Sequence, residues 1–202
     1  MPIRYKLTDN DMRTNGFQWE LNKDYEIKSK GGELCTSAYF HFYLHPLLAV
    51  LHNPNHANIG NPRIFKAEVG GESLTDGQMK EGWKKAKLIK EIPLPKITVE
   101  QKIKYGIYCA LEVYKDESFV NWANNWLSGK DRTVDSAHAA YAAHASCAAY
   151  ATFHSAHASC ATYAAAYSVT YAATYATTYA AYTANAANKK INLLKLAKKA
   201  ME

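Results

Sequence analysis

After Gly129 the sequence contains neither glycine nor proline, and between residues 136 and 188 it contains no lysine, arginine, aspartate or glutamate. The first absence removes the residues that most readily break a helix. The second removes the solvated face of an ordinary amphipathic helix. The same stretch has no run of Leu, Ile, Val or Phe. His138, His144, His154 and His157 interrupt it, together with many Ser, Thr and Tyr. That composition argues against a membrane span, although the stretch is long enough for one. Cysteine is scarce. Cys35, Cys109, Cys147 and Cys160 stand far apart and form no CxxC, so reduced thiols in a cytoplasmic protein are expected. The polar opening, Met1 to Arg13, lacks the apolar segment of a signal peptide. No GxGxxG, P-loop, GxSxG or HExxH motif occurs, and no nucleophile stands with a base beside it.

Charge is present, but it is unevenly spread. Residues 1–135 hold 19 of the 24 Lys and Arg and 17 of the 18 Asp and Glu, a balance of +2. The last 14 residues hold five Lys and one Glu, which accounts for the other +4 of the net +6. A nucleic-acid footprint needs basic residues gathered on one surface, and only this tail gathers them. Lysines at a helix C-terminus complement the macrodipole and keep an apolar chain soluble, which is the simpler reading. Nucleic acid is therefore not an expected partner.

The first 97 residues read as short strands separated by turns. Ile3–Leu7, Gly16–Glu20, Asp24–Ile27, Tyr39–Tyr43, Arg63–Val69 and Ala86–Ile92 alternate or carry strand-forming side chains. Pro46 opens a short helix with Leu47–Leu51 as its apolar part, and Asn53–His56 is expected to be a loop. Thr98 and Gln101 make a capping box before a helix with Val99, Ile103, Ile107 and Ala110 at helical spacing. Asp116 caps a second helix carrying Phe119, Trp122, Ala123 and Trp126, which stops at Ser128-Gly129.

Alanine, with the best helix propensity, dominates residues 136–188 and predicts one continuous helix of roughly 80 Å at 1.5 Å per residue. Tyr141–Tyr150 matches His154–Tyr163 at an offset of 13. Larger side chains recur every three positions from His138 to Phe153, then every four at Tyr163, Tyr167, Tyr171, Tyr175 and Tyr179. Neither step keeps a straight stripe on a 3.6-residue turn, so this is not a heptad coiled coil. The expected class is α+β: a small mixed α/β domain (1–97), a helical pair (98–130), a long Ala-rich helix (131–188) and a basic amphipathic tail (189–202).

Several segments carry a resemblance. They are Gly16–Glu20, Lys23–Glu26, Glu33–Cys35, Phe40–Phe42, His45–Leu47, Arg63–Val69 and Phe119–Arg132. In all but the last of these the N-terminal half resembles a domain of unknown function found in tailed-phage and prophage proteins, and Phe119–Arg132 looks like a stretch that such proteins place before an alanine-rich repeat; together they cover most of residues 1–135. The resemblance implies a phage-infected bacterial host and no particular activity. The order of Arg4-Tyr5, Phe40–Phe42, the Pro-led helix and Arg63–Val69 also looks like that of split-sheet ADP-ribosyltransferase folds. No residue here is matched to that family's catalytic Glu.

Candidate sites follow from residue type. His41, His45, His52 and His56 invite a metal reading, but spacing by four aligns ligands only on a helix, and His41 is expected in a strand and His56 in a loop. His144 with Cys147, and His157 with Cys160, share helical faces suited to tetrahedral zinc. Tyr150 and Tyr163 fill equivalent slots, so side-chain size explains the pattern and no metal is assigned. The aromatic strands are expected to be core. If they border a pocket, Gln18, Trp19, His41 and Arg63 are the candidate ligand contacts. No catalytic residue and no cofactor is expected. The leading expectation is a non-enzymatic phage accessory protein that binds a host or phage protein and forms a homo-oligomer through Tyr163, Tyr167, Tyr171, Tyr175 and Tyr179. The alternative is a nucleotide-binding or ADP-ribosyltransferase-like anti-defence protein acting through the N-terminal domain.

Overall fold

A computed structural model describes residues 1–145, 165, 173–188 and 190–202. Strand β1 (Ile3–Thr8) ends in three consecutive buried residues, Lys6, Leu7 and Thr8. Successive strand side chains point to opposite faces, so both faces of β1 are covered there. β1 lies antiparallel to β6 (Arg63–Thr75), which turns back as β7 (Glu81–Ile92). Two short strands, β4 (Asp24–Glu26) and β5 (Phe40–Phe42), pair antiparallel with different stretches of β7. Just past β5, Tyr43 returns to β1 and exchanges two 2.9 Å backbone hydrogen bonds with Tyr5. The strands β1, β6, β7 and β5 thus close on themselves. Register shifts within the β6–β7 pair, which coil such a hairpin, accompany this closure.

One face of this sheet buries Trp19, Phe40, Phe42, Phe65, Val69 and Leu88. Leu7, Tyr43, Ala49 and Ile64 form a second cluster, with Ala49 supplied by α1 (Pro46–His56). A separate hairpin, β2 (Arg13–Thr14) and β3 (Phe17–Gln18), turns through Asn15 and Gly16. Both turn residues have left-handed φ, +49° and +79°, as a two-residue turn between twisted strands requires. The expected strand Gly16–Glu20 shrinks to two residues. Trp19 leaves the ladder, its N–H bonds to the Met12 carbonyl at 2.8 Å, and its ring turns into the core.

The Asn53–His56 loop expected from sequence is instead the last turn of α1. Proline there removes only one late hydrogen bond. The Asn53 side chain braces the exit by donating to the Ile59 carbonyl at 2.9 Å and accepting from its N–H at 3.1 Å. Asn58, at φ +49°, then reverses the chain.

These elements form one compact unit, Met1–Lys96, and Ile97–Glu202 forms another. In the second unit α2 (Val99–Val113) starts with the predicted Thr98/Gln101 capping box. Asp116 caps α3 (Glu117–Leu127) by accepting from the N–H groups of Ser118 and Phe119, and Gly129 follows its end at φ +76°. Then come α4 (Val134–Ala145), α5 (Ala173–Ala187) and α6 (Leu193–Ala200). Both α5 and α6 pack along α2. Small residues are buried on α5 (Ala176, Ala180, Ala181, Ala184) and on α2 (Gly106, Cys109, Ala110). Such side chains let helix backbones approach closely. The lysine tail forms α6, which buries Leu193, Leu196 and Ala197 and leaves Lys195, Lys198 and Lys199 exposed.

The fold is the expected mixed α+β type with an N-terminal sheet region. About half of the single helix expected over 136–188 lies outside the described residues. Its described end, α5, finds cover on α2 of the same chain, where the sequence had suggested that only another copy would serve. Tyr163, Tyr167 and Tyr171 lie outside the described residues, as do Cys147 and Cys160. Tyr175 lies on α5, and Tyr179 is 44% exposed there. Among the described residues no helix is long and apolar enough to cross a membrane.

Candidate functional site

A cleft opens where β1, β5, the β2–β3 hairpin and the segment before β5 meet. Lys6 and His41 stand at its centre and line both of its lobes. One lobe, about 140 Å³, is polar and is bounded by Tyr43, His56 and Lys80. The other, about 300 Å³, has an aromatic wall of Phe17, Trp19, Tyr39 and Phe40, with Thr36 and Ser37 at its rim. Thr14, Asn15 and Cys35 border both lobes. The larger lobe is at the small end of ligand-site volumes.

Lys6 reaches this position because it alternates with Tyr5 and Leu7 along β1 and so faces the aromatic core. Its ammonium donates to the His41 carbonyl at 2.9 Å and lies 5.1 Å from the Trp19 ring centre and 5.4 Å from that of Phe42. No carboxylate pairs with it among the described residues. Burial therefore pushes its pKa from 10.5 down to about 7.

His41 sits opposite Gly82 in the β5–β7 pair. A Cβ at Gly82 would meet Leu34 Cδ1 at 2.6 Å and Tyr39 Cβ at 2.8 Å. The missing side chain lets the Leu34–Tyr39 segment lie against β7. The Leu34 carbonyl then accepts from His41 Nε2–H. That bond leaves Nδ1 as the lone-pair nitrogen of the neutral ring. Burial lowers His41 to about 4, and Lys6 and Lys80 add to the effect. His56 falls to about 3, through burial first and then His52, Lys80 and His41. Burial also raises Tyr43, which keeps its proton, so the Tyr43 hydroxyl donates to His56 Nδ1 at 3.3 Å. At neutral pH the histidines are thus uncharged, and Lys6, with a pKa of about 7, is present both as ammonium and as neutral amine.

No aspartate or glutamate lines either lobe. Trp19 Nε1 is a buried donor without a hydrogen-bond partner. The cleft is therefore rich in donors and positive charge beside flat aromatic surface, an arrangement suited to an anionic ligand with a planar ring. Among the described residues no group of three His, Cys, Asp or Glu is placed to hold a metal. His52, buried on α1, bonds through Nδ1 to the Met79 carbonyl at 3.2 Å. His45 caps α1 by accepting from Leu47 N–H at 3.2 Å.

The structure brings together two of the four candidates, Trp19 and His41. The other two stand elsewhere. Gln18 accepts from Arg13 Nε at 2.9 Å and donates to the Asp11 carbonyl at 2.8 Å, tying the β2–β3 hairpin to the loop before it. Arg63 grips Glu91 with two hydrogen bonds, 2.9 and 2.5 Å, and lies over Phe65. Its fork is thus occupied by a carboxylate, and Arg63 lines neither lobe. Sequence reasoning missed Lys6, because an alternating Arg-Tyr-Lys-Leu strand gives no sign that its polar face is covered. It also missed the Asn15-Gly16 turn, whose dipeptide is a recognisable hairpin signal.

No curated protein and no solved structure matches the chain. A protein-family model does match: that of a domain of unknown function, DUF7666, over residues 3–100, a stretch that includes every residue of the cleft.

Proposed function

We propose that the N-terminal unit is a small-ligand-binding module whose Lys6–His41 cleft takes a nucleotide-like ligand, with its anion near Lys6 and Lys80 and its planar ring on the Phe17–Trp19–Phe40 wall. The observation that carries this reading is the buried, unpaired Lys6. A desolvated cation without a counter-charge is costly, and an incoming anion supplies what the fold omits. Binding without catalysis is the simpler form of the proposal, since no residue of the cleft is yet tied to a reaction. The phage-like segments quoted above support a setting in the cytoplasm of an infected bacterium, where such a module would act as an accessory or anti-defence protein.

Thermal shift with AMP, adenosine and inorganic phosphate tests it. AMP at a hundred times its Kd should raise stability by about 2.7 kcal/mol. Phosphate should give a smaller shift, and Lys6→Met should remove both. No shift with any of the three would refute the reading.

A second part of the proposal concerns assembly. Residues 136–188 carry no charge, and Tyr179 and Tyr182 are both 44% exposed three residues apart on α5. These features support homo-oligomerisation through the Ala-rich region. Light scattering should show a dimer or larger species that Tyr179→Glu with Tyr182→Glu dissociates. A monomeric parent chain would refute it.

A further inference from the structure

Two lysines of the N-terminal unit are buried, and they are buried differently. Lys84, 4% exposed, donates to the Gly31 and Ala38 carbonyls, both at 2.7 Å, and lies 4.0 Å from the Tyr39 ring centre. It ties the segment before β5 to β7 and lines neither lobe of the cleft. Lys6, 6% exposed, makes a single hydrogen bond, to the His41 carbonyl. Its other neighbours are ring faces, and it borders both lobes. A structural lysine is expected to look like Lys84. Lys6 has one acceptor for three N–H donors and borders open space on two sides.

From this geometry we propose that Lys6 Nζ is a nucleophile that captures an aldehyde-bearing anionic ligand as an imine. The inference rests on the reading of the cleft as an anion-binding site. In the capture step the nitrogen lone pair forms a bond to the carbonyl carbon while the C=O π pair moves onto oxygen. One proton leaves nitrogen and one reaches oxygen, giving a carbinolamine. Loss of that oxygen as water leaves the C=N bond, so nothing is oxidised or reduced. The anionic group of the ligand lies towards Lys80, and its ring lies on the aromatic wall. Cys35, Tyr39, His41, Tyr43, His56 and Lys80 are the other titratable side chains bordering the cleft. Burial favours the neutral amine of Lys6, the form that attacks.

The test uses the full chain and pyridoxal 5′-phosphate, which joins an aldehyde, a phosphate and a planar ring. After limited reaction at pH 7 the imine is fixed with sodium borohydride and the adducts are mapped by peptide mass spectrometry. A lysine of ordinary pKa is neutral in only about one molecule in a few thousand at this pH, so Lys6 should carry at least about tenfold more adduct than any exposed lysine. Lys84 should carry little. Adduct spread over exposed lysines, with Lys6 at or below their level, overturns the proposal, and this readout on the parent chain needs no variant. Thermal shift with inorganic phosphate separates the two ideas. A phosphate shift without Lys6 adduct leaves the anion site standing and removes the imine. The absence of both removes both.

Discussion

The two units solve the same problem with opposite materials. In Met1–Lys96 large side chains (Trp19, Phe42, Phe65) fill the space inside a strongly curved sheet, and β1, β5 and the β2–β3 hairpin leave a cleft beside them. In Ile97–Glu202 α2 and α5 pack together, and α5 buries mainly alanine and threonine, while α2 buries Gly106, Cys109 and Ala110 beside Ile103, Tyr105 and Ile107. Small residues bury little area each but bring helix axes close. The difference teaches where function has room. A close-packed Ala seam is spent on association, whereas an aromatic wall next to an unpaired lysine offers a ligand both surface and charge.

The largest effect that would separate the units is acid. His41 and His52 are held at about 4 and His56 at about 3, each chiefly by burial, against an ordinary 6.5. Below pH 6.5 the unfolded chain binds protons that the folded unit refuses. Stability contributed by the neutral rings is therefore full above 6.5 and is lost as pH falls towards 4 and then 3. Segment-resolved hydrogen exchange should show β1, β6 and β7 losing protection across this range before α2 does. Equal loss in both units would break the comparison.

Core substitutions should act with opposite signs of volume. Phe42→Ala should cost about 3–5 kcal/mol in urea unfolding, through lost burial and the cavity left behind. Ala180→Leu should cost about 1–3 kcal/mol, because the α2–α5 seam has no space for added methylenes. If Ala180→Leu is neutral, the seam is looser than described.

The two buried lysines sharpen the contrast further. Lys84→Met should lose about 1–3 kcal/mol by stranding two carbonyls. Lys6→Met should leave stability unchanged or raise it at pH 7. The sign follows from linkage. With its folded pKa near 7, below the unfolded 10.5, Lys6 makes the parent chain gain stability as pH rises between those values. The Met variant should lack that rise.

Much of this fold is legible in the sequence. Strands β1 and β5, helix α1 and the starts of α2 and α3 follow from alternation, Pro46, the Thr98/Gln101 capping box and Asp116. What escapes is long-range. Nothing local says that Tyr43 returns to Tyr5, that Pro54 is tolerated because Asn53 braces Ile59, or that the polar face of β1 turns inward. The cleft depends on all three neighbourhoods. Sequence therefore named Trp19 and His41 of the cleft, read its other aromatics as core and passed over Lys6, and it chose Gln18 and Arg63, which line neither lobe. The cover of α5 by α2 was invisible for a related reason. Alanine carries no pattern that names its partner.

The most direct test of the central claim is calorimetric titration of AMP into the parent chain, Lys6→Met and Arg63→Ala. The account predicts one site per chain in the parent, undetectable binding in Lys6→Met and near-parental affinity in Arg63→Ala. Unchanged affinity in Lys6→Met, or loss confined to Arg63→Ala, would place the site elsewhere and contradict it.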